Sequence, residues 1–266
     1  MRLAIVCSHR QMATFPPSGS ISKGGSLMRP FHPAYILEVL PQLIPYLLVT
    51  AEMVLGTVFF GSLFGLLLAA AKIRKRKVGA ALANLYIYIT RCVPSIVLLF
   101  IVYYGLPEFL LWFGININDA SKGFFVITTF SILFSANMAE GFRSAYEAID
   151  KGQREAAVSI GLTEFQAFRR IVLPQCIRVV IPNFTNSLIS LMKEGSLAYT
   201  IGLIDIMGKG QLIIGQNQGS YSLEVYLSLF LLYWVLTILV EKGFGVLELH
   251  LSKGRRNMHL EVRKCS

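Results

Sequence analysis

Charge is scarce in this sequence. Only 15% of its 266 residues are Asp, Glu, Lys or Arg, whereas apolar residues make up 54% and the mean hydropathy is +0.58. A soluble domain of ordinary composition carries about a quarter charged residues, so this composition excludes a soluble globular protein. Uncharged windows of about 20 residues are long enough to cross a bilayer as helices. The sequence therefore predicts an all-α integral membrane protein.

Cysteine and histidine are also sparse, with four residues of each type. No two cysteines have the spacing of a zinc site or of a redox motif. We therefore expect no metal site and no disulfide framework. The positions are Cys7, Cys92, Cys176, Cys265, His9, His32, His250 and His259.

The first 27 residues do not follow the membrane pattern. Their apolar run, residues 3–7, is too short for the core of a signal peptide, and Pro, Gly and Ser follow it. Two interpretations stay open: residues 1–27 are a disordered tail, or translation begins at Met28. In both, residues 28–266 are predicted to form a single transmembrane domain.

Five apolar segments are long enough to span the bilayer. Basic residues concentrate after the first span, after the third span and in the carboxyl-terminal tail, so the positive-inside rule places these segments in the cytoplasm and the amino terminus outside. The formal net charge of +10 then faces anionic lipid and requires no nucleic-acid partner. The predicted spans are residues 43–71, 93–111, 123–142, 183–206 and 223–244.

Helix-breaking residues set two further boundaries. The sequence TRCVP, residues 90–94, divides a long apolar region that begins at Val78, and we expect the part before it to lie at the inner surface. The Gly-rich sequence MGKGQLIIGQNQGSYS, residues 207–222, is predicted to be an outer loop.

The cytoplasmic segment after the third span, about residues 144–182, is predicted to contain two short amphipathic helices. Thr163 and Gln166 fit a capping box at the start of the second helix, and Pro174 is predicted to end it. Apolar residues recur at helical spacing in both helices. From this pattern alone, the surface binds either a partner protein or its own spans and the lipid.

The same segment resembles a family signature. Glu155-Ala156-Ala157, then Gly161 after three residues, then Ile171-x-Leu173-Pro174 after nine, is similar to the signature of the membrane subunits of binding-protein-dependent ABC importers. Residues 89–107 and 139–157 are similar to the polar amino acid branch, and residues 186–210 are most similar to the branch that moves cystine and related amino acids. Cys92-Val93 departs from the Gly-Thr that is usual there, and Gly195 stands where Thr is common.

This resemblance implies a type I ABC importer permease fold in a bacterial inner membrane, with about five transmembrane helices and a cytosolic coupling-helix loop. It also implies a dimer with a second permease copy or a close relative, a pair of cytosolic ABC ATPase subunits and an extracytoplasmic substrate-binding protein. ATP and Mg²⁺ would bind in the ATPase, because the Gly208-Lys209 pair lacks the other residues of a P-loop. The expected ATPase-docking residues are Glu155, Ala156, Ala157, Gly161, Leu162 and Phe165.

Ionisable residues within spans are costly and usually face a cavity or a partner. Glu52, Lys193, Glu194 and the adjacent Ser196 are therefore the candidate substrate pathway. Lys193 and Glu194 point about 100° apart on a helix, so each needs another partner: a zwitterionic amino acid, or a neighbouring span or subunit. Glu140 and Arg143 have the spacing of a local ion pair on one helix.

Two other classes of function were weighed. An intramembrane enzyme would use Glu140 or Glu194 as a general base, but no catalytic constellation accompanies either residue. A proton-coupled secondary amino acid transporter would use Glu52 and Glu194. It predicts inverted repeats, which this sequence does not display, and it leaves the cytosolic helix pair without a role.

Overall fold

All regular elements are helices in residues 31–74 and 77–264, the part of the chain that the computed structural model describes, with side chains up to residue 251. The chain divides into two units, residues 1–31 and 32–266, and these helices belong to the second. The predicted tail and the alternative start at Met28 lie outside the described residues. The helices are α1 (Pro33–Leu43), α2 (Leu47–Ile73), α3 (Lys77–Cys92), α4 (Ser95–Phe100), α5 (Leu106–Leu111), α6 (Lys122–Glu147), α7 (Lys151–Ser159), α8 (Glu164–Ala167), α9 (Leu173–Gly195), α10 (Ile206–Gln216) and α11 (Ser222–Lys264).

Shorter turns join several of these helices into longer ones. Two are 3₁₀ helices, Ile44–Tyr46 and Ser196–Ile201, and two are π-helical turns, Ile101–Gly105 and Phe168–Val172.

By length and composition, the described residues contain three to five candidate membrane spans, and the sequence predicts five. Pro33–Ile73, Lys122–Glu147 and Ser222–Leu251 are long and apolar enough alone. The number rises to five if each of two bent helix pairs counts as one span: Lys77–Cys92 with Ser95–Leu111, bent by 107°, and Glu164–Ile201 with Ile206–Gln216, bent by 48°. The predicted all-α membrane fold is confirmed.

Helix α6 is the centre of the main packed cluster. Its residues Val126, Phe130, Phe134 and Met138 are buried against side chains from the helices around it. Because lipid tails are as apolar as these side chains, close packing rather than water exclusion holds helices together here. The partners in this cluster are Met53 of α2, Leu99 of α4, Leu191 of α9, and Ala198 and Ile201 of the 3₁₀ helix.

Helices α2 and α6 approach closely because of two glycines one turn apart. A Cβ atom on Gly61 would lie 2.9 Å from Cδ1 of Phe134, and one on Gly65 would lie 3.0 Å from Cβ of Met138. Two small residues separated by three others are a common helix-packing arrangement in membranes. This pair fixes α2 beside the helix that leads into residues 150–167.

The region before TRCVP, which is predicted to lie at the inner surface, forms helix α3 and packs against α6. The Tyr86 hydroxyl of α3 donates to the carbonyl of Ile132, at 3.1 Å, and is 2.8 Å from Oγ of Ser135. Ile132 is near the middle of α6, so α3 enters the bundle. Buried Ile87 packs with two small α6 residues, Ala136 and Ala139, which leave room for this approach.

The prediction of an outer loop at residues 207–222 was wrong for the first part of this range, because α10 occupies it. Asp205 caps this helix by accepting a hydrogen bond from the Gly208 amide, at 2.8 Å. A Cβ on Gly208 would lie 2.7 Å from the Leu203 carbonyl oxygen, and one on Gly210 would lie 2.7 Å from Leu229 Cδ1. These glycines permit close packing rather than a turn.

Pro174 does not end the second cytosolic helix as predicted. The chain stays helical over Glu164–Ile201, so the helix that contains the predicted fourth span begins well before residue 183. A π-helical turn, Phe168–Val172, directly precedes α9, in which Pro174 is the second residue. This wider turn accommodates a residue that lacks an amide hydrogen and whose ring would clash with the preceding carbonyl of a regular α-helix.

Candidate functional site

The segment after α6 folds as a helical hairpin, residues 150–167, whose ends are fixed by local hydrogen bonds. Asp150 caps α7 by accepting from the Gly152 amide, at 2.9 Å. At the other end, the Gly161 amide donates to the Val158 carbonyl at 3.0 Å, and the Leu162 amide donates to the Ala157 carbonyl at 3.2 Å. This pair of bonds is a Schellman motif.

Gly161 is the residue that the motif requires. Its φ is +91°, a conformation that side chains with a Cβ adopt rarely and β-branched ones least of all. A Cβ built there would meet no atom within 4 Å. The need for glycine is therefore conformational rather than a matter of space within this chain.

The predicted capping box at the start of α8 is confirmed. The Thr163 amide donates to Gln166 Oε1 at 3.0 Å, and the Gln166 amide donates to Thr163 Oγ1 at 3.3 Å. An exposed ion pair, Arg154 Nε to Glu164 Oε2 at 3.6 Å, joins α7 to α8. The hairpin is thus held by its own caps and by one weak charge contact.

The six expected docking residues do not all face outward. Ala157 is buried, Leu162 is half-buried, and Glu155, Ala156, Gly161 and Phe165 are exposed. Phe165 is 70% exposed. Of the apolar residues expected to share its side, Phe168 is 39% exposed and Val172 is buried, so Val172 packs inside the chain.

Ile160 is a surface residue that the sequence interpretation did not include among the docking residues. It is 80% exposed at the end of α7. Its sequence position could have identified it, because a residue directly before a glycine with left-handed backbone conformation lies at the turn. Ile160 and Phe165 together give the hairpin an apolar tip on a polar segment.

Ion pairs connect α2 to the helix that leads into the hairpin. Arg143 Nη2 lies 2.8 Å from Glu140 Oε2, which confirms the predicted local ion pair. Glu140 also pairs with Lys72 of α2, and Arg143 also pairs with Glu147. The contribution of Lys72 was not visible in sequence, because 68 residues separate it from Glu140.

A polar cleft of about 410 Å³ lies between α7 and the ends of α2 and α6. Glu155 lines it together with Lys72, Glu147, Asp150 and Arg154. No hydrogen bond or ion pair reaches the Glu155 carboxylate from the described residues. A larger apolar groove of about 710 Å³ between α2, α6 and α9 contains none of the expected site residues.

The second candidate region lies where α4 begins and α9 ends. Ser95 Oγ donates a hydrogen bond to Glu194 Oε2 at 2.7 Å. Ser95 is the first residue of α4, directly after Pro94, and Glu194 is one residue before the end of α9. After Gly195 the backbone continues as a 3₁₀ helix. The carboxylate therefore lies beside two helix breaks.

Ser95 was not among the predicted pathway residues. The signal that could have identified it is its place directly after the helix-breaking Val93-Pro94 pair, where a serine commonly begins a helix. The 99 residues between Ser95 and Glu194 conceal the contact from sequence.

The structure does not bring all the predicted pathway residues together. Lys193 and Glu194 are exposed and do not pair with each other in the described residues, as their helical angle predicts. Ser196 Oγ bonds to the Lys193 carbonyl at 2.6 Å. Glu52, exposed on α2, has no hydrogen bond or ion pair to any of these residues in the described ranges.

In the part of the chain that is described, no cluster of three or more His, Cys, Asp and Glu side chains could hold a metal ion. Cys92 is exposed and Cys176 is buried, and both are free thiols.

Residues 61–252 match the family model described as the binding-protein-dependent transport system inner membrane component. The L-cystine transport system permease protein TcyL of Bacillus subtilis (strain 168) is 38% identical over 218 residues, which cover 82% of this chain and 90% of that protein. The probable amino-acid permease protein YxeN of the same organism is 37% identical, over 84% of this chain and 96% of that protein.

Solved structures are similar over most of the chain. A chain from a crystal structure of an amino acid ABC transporter with histidines has a TM-score of 0.71 at 28% identity, over 84% of this chain and 100% of that chain. A chain of the inward-facing MetNI methionine ABC transporter has a TM-score of 0.62 at 19% identity, over 79% of this chain and 96% of that chain. The second likeness supports the fold alone.

Proposed function

Because this chain belongs to the family of binding-protein-dependent transport system inner membrane components, we propose that it is the permease subunit of an ATP-driven amino acid importer. Its cargo is a polar amino acid, and L-cystine is the first candidate, since the permease TcyL is 38% identical over most of both chains. The chain is not itself the enzyme. ATP and Mg²⁺ bind in a separate ATPase subunit.

The observation that carries the proposal is the exposed hairpin, residues 150–167. The caps of its helices are formed by residues of the hairpin itself and need no partner. Its tip nevertheless exposes Ile160 and Phe165, and two apolar side chains on a polar segment are suited to an apolar groove in another protein. We assign that groove to the cytosolic ATPase dimer.

In this assignment the docking residues have different roles. Ile160, Phe165 and Ala156 contact the ATPase, since they are exposed. Gly161 sets the turn that presents them, and buried Ala157 and half-buried Leu162 pack the hairpin together. Glu155 is oriented into the polar cleft beside α2, where it is available to a cationic side chain of the partner.

The hairpin follows α6 after a short connection, and the Lys72–Glu140 ion pair joins α6 to α2. Movement of the hairpin with an ATPase subunit is therefore transmitted to two membrane helices at once. This is a stiff connection between the ATPase and the spans, which an importer driven by ATP requires.

The cargo pathway is assigned to the place where α4 and α9 meet. Glu194 offers an anion to the ammonium group of an amino acid, and Lys193 offers a cation to a carboxylate. The start of α4 also favours a carboxylate, because the amino ends of broken membrane helices carry partial positive charge. Without cargo, Ser95 satisfies the Glu194 carboxylate. Glu52 and Ser196 remain candidate lining residues.

The remaining partners complete the proposal. A second permease copy, or a close relative, forms the other half of the pathway, and an extracytoplasmic binding protein delivers the cargo. The basic segments place the hairpin and the carboxyl terminus in the cytoplasm and the amino terminus outside, in a bacterial inner membrane.

The proton-coupled secondary transporter is the rival function, and the family membership of the chain argues against it. The two mechanisms differ in their energy source, so transport in closed vesicles separates them. The chain would be purified from its native membrane in mild detergent, its co-purifying subunits identified, and the complex reconstituted with its binding protein.

Uptake of a panel of amino acids, including cystine, would then be measured with ATP or with a proton gradient alone. We expect an ATPase to co-purify and uptake of one amino acid class to require ATP. Uptake that follows the proton gradient in the absence of any ATPase would overturn the proposal.

A further inference from the structure

A groove of about 700 Å³ lies at the junction of α2 and α3, and the described residues that line it include none from the hairpin and neither Ser95 nor Glu194. Apolar side chains form most of it, and two cations complete its lining. The described lining residues are Leu67, Ala70, Ala71, Arg74, Lys77, Val78 and Gly79.

The groove extends from the level of the lipid headgroups to the level of the acyl chains, as a lipid-binding site does. The first candidate span ends at Ile73 and the cations Arg74 and Lys77 follow it; basic residues that flank a span on the inner side lie at the level of the lipid headgroups. Leu67 lies seven residues earlier on α2, about 10 Å deeper at the helical rise of 1.5 Å per residue. One groove therefore contacts both a headgroup level and an acyl level.

The charges in this region are not equivalent. Lys72 points into the bundle and is balanced by Glu140. Arg74 and Lys77 are exposed and form no ion pair with the described residues. Two unbalanced cations at the end of a span attract an anion, and each basic residue near an anionic membrane surface adds to that attraction.

The floor of the groove is shaped by small residues. A Cβ on Gly79 of α3 would meet only the Cβ of Ala71 of α2 within 4 Å, at 3.9 Å, which is an ordinary contact. Larger side chains at either position would fill the space that the groove now leaves open.

We propose that this groove binds one anionic phospholipid, with its phosphate held by Arg74 and Lys77 and an acyl chain lying along Leu67, Ala70 and Val78. The bound lipid fills the wedge between α2 and α3. The lipid thereby links the end of α2 to α3. Helix α3 leads, through the 107° bend, to α4 at the proposed cargo region.

The test is lipid binding to the complex isolated with its partner subunits, measured by native mass spectrometry during titration with phosphatidylglycerol or with phosphatidylethanolamine of the same acyl chains. We expect the anionic lipid to bind about tenfold or more tightly, from two cations at the headgroup. Arg74→Gln/Lys77→Gln is expected to remove this preference.

Two matched controls separate a built site from diffuse charge attraction. Arg169→Gln/Arg170→Gln removes the same charge from an exposed basic pair outside the groove and is expected to retain the preference. Gly79→Leu fills the groove while keeping both cations and is expected to lose lipid about as strongly as the charge variant. Gly79→Ala adds only an ordinary contact and is expected to bind lipid normally.

Equal binding of both lipids, or equal losses in the two charge variants, would overturn the proposal. Normal lipid binding by Gly79→Leu would overturn it as well. Competition by soluble glycerol phosphate at the concentration of the lipid would show that the acyl chain adds nothing and that the site takes a free phosphate instead.

Discussion

Helices end both in the hairpin and at the α4–α9 contact, but the polar groups at these ends find their partners in different ways. In the hairpin, each helix end is satisfied by side chains and amides within a few residues, as in the Thr163–Gln166 capping box and the Gly161 turn. At the α4–α9 contact, Glu194 is satisfied by Ser95, 99 residues away. Water allows local solutions, whereas backbone and charges at membrane depth depend on other helices.

Substitutions in the two regions are therefore expected to affect different properties of the protein. Changes in the hairpin are expected to affect coupling to the ATPase while the membrane bundle stays intact. Changes at the α4–α9 contact are expected to affect cargo. Changes in the glycine-mediated packing of α10 are expected to affect stability.

The largest expected effect is that of Glu194→Gln. Removing the carboxylate removes the proposed partner of the cargo ammonium group, and uptake in reconstituted vesicles is expected to fall about 10- to 100-fold, the range for a hydrogen bond to a charged group. Ser95→Ala keeps the carboxylate and is expected to lower uptake less. ATP hydrolysis by the same vesicles in the absence of cargo should change little. Equal uptake by Glu194→Gln and the parent would refute the assignment of Glu194.

An intermediate effect is expected for Gly161→Val. A β-branched residue at φ +91° is strained by about 1–3 kcal/mol, so the hairpin turn is expected to change and cargo-stimulated ATP hydrolysis to fall about tenfold. Gly161→Asn is the matched control, because asparagine tolerates positive φ better. Both variants should insert in the membrane in parental amounts. Similar activity of the valine and asparagine variants would show that the turn geometry does not matter.

The smallest expected effect on transport is that of Gly208→Ala, which instead tests packing. The added methyl would lie 2.7 Å from the Leu203 carbonyl oxygen, and overpacking of this kind costs about 1–3 kcal/mol of stability. Gly215→Ala on the same helix meets no atom within 4 Å and is expected to be neutral or stabilising by up to about 1 kcal/mol. Thermal unfolding in detergent compares the two. Equal stability would contradict the close packing of α10.

Much of this architecture could be predicted from sequence where the signals are local. Hydropathy indicated five spans, Thr163 and Gln166 indicated a capping box, and the spacing of Glu140 and Arg143 indicated an ion pair. Each depends on residues within one or two helical turns, so no knowledge of the tertiary structure was needed.

The errors arose where a residue type has more than one use. Gly208 and Gly210 suggested a loop, but they allow close helix packing in a membrane. Pro174 suggested a helix end, but a π-helical turn before it lets the helix continue. The Ser95–Glu194 and Lys72–Glu140 contacts could not be predicted, since they are set by how distant helices pack.

The exposed tip of the hairpin is the feature on which the proposed coupling depends, and it offers the most direct measurement. A photoreactive benzoylphenylalanine would replace Phe165 in the complex in its native membrane, with a second variant carrying it at Phe59, an exposed position on α2, as control. Irradiation is expected to link position 165 to the ATPase subunit and position 59 to lipid or permease only. Cross-links from position 165 to lipid or to this chain alone, with the ATPase present and active, would contradict the account.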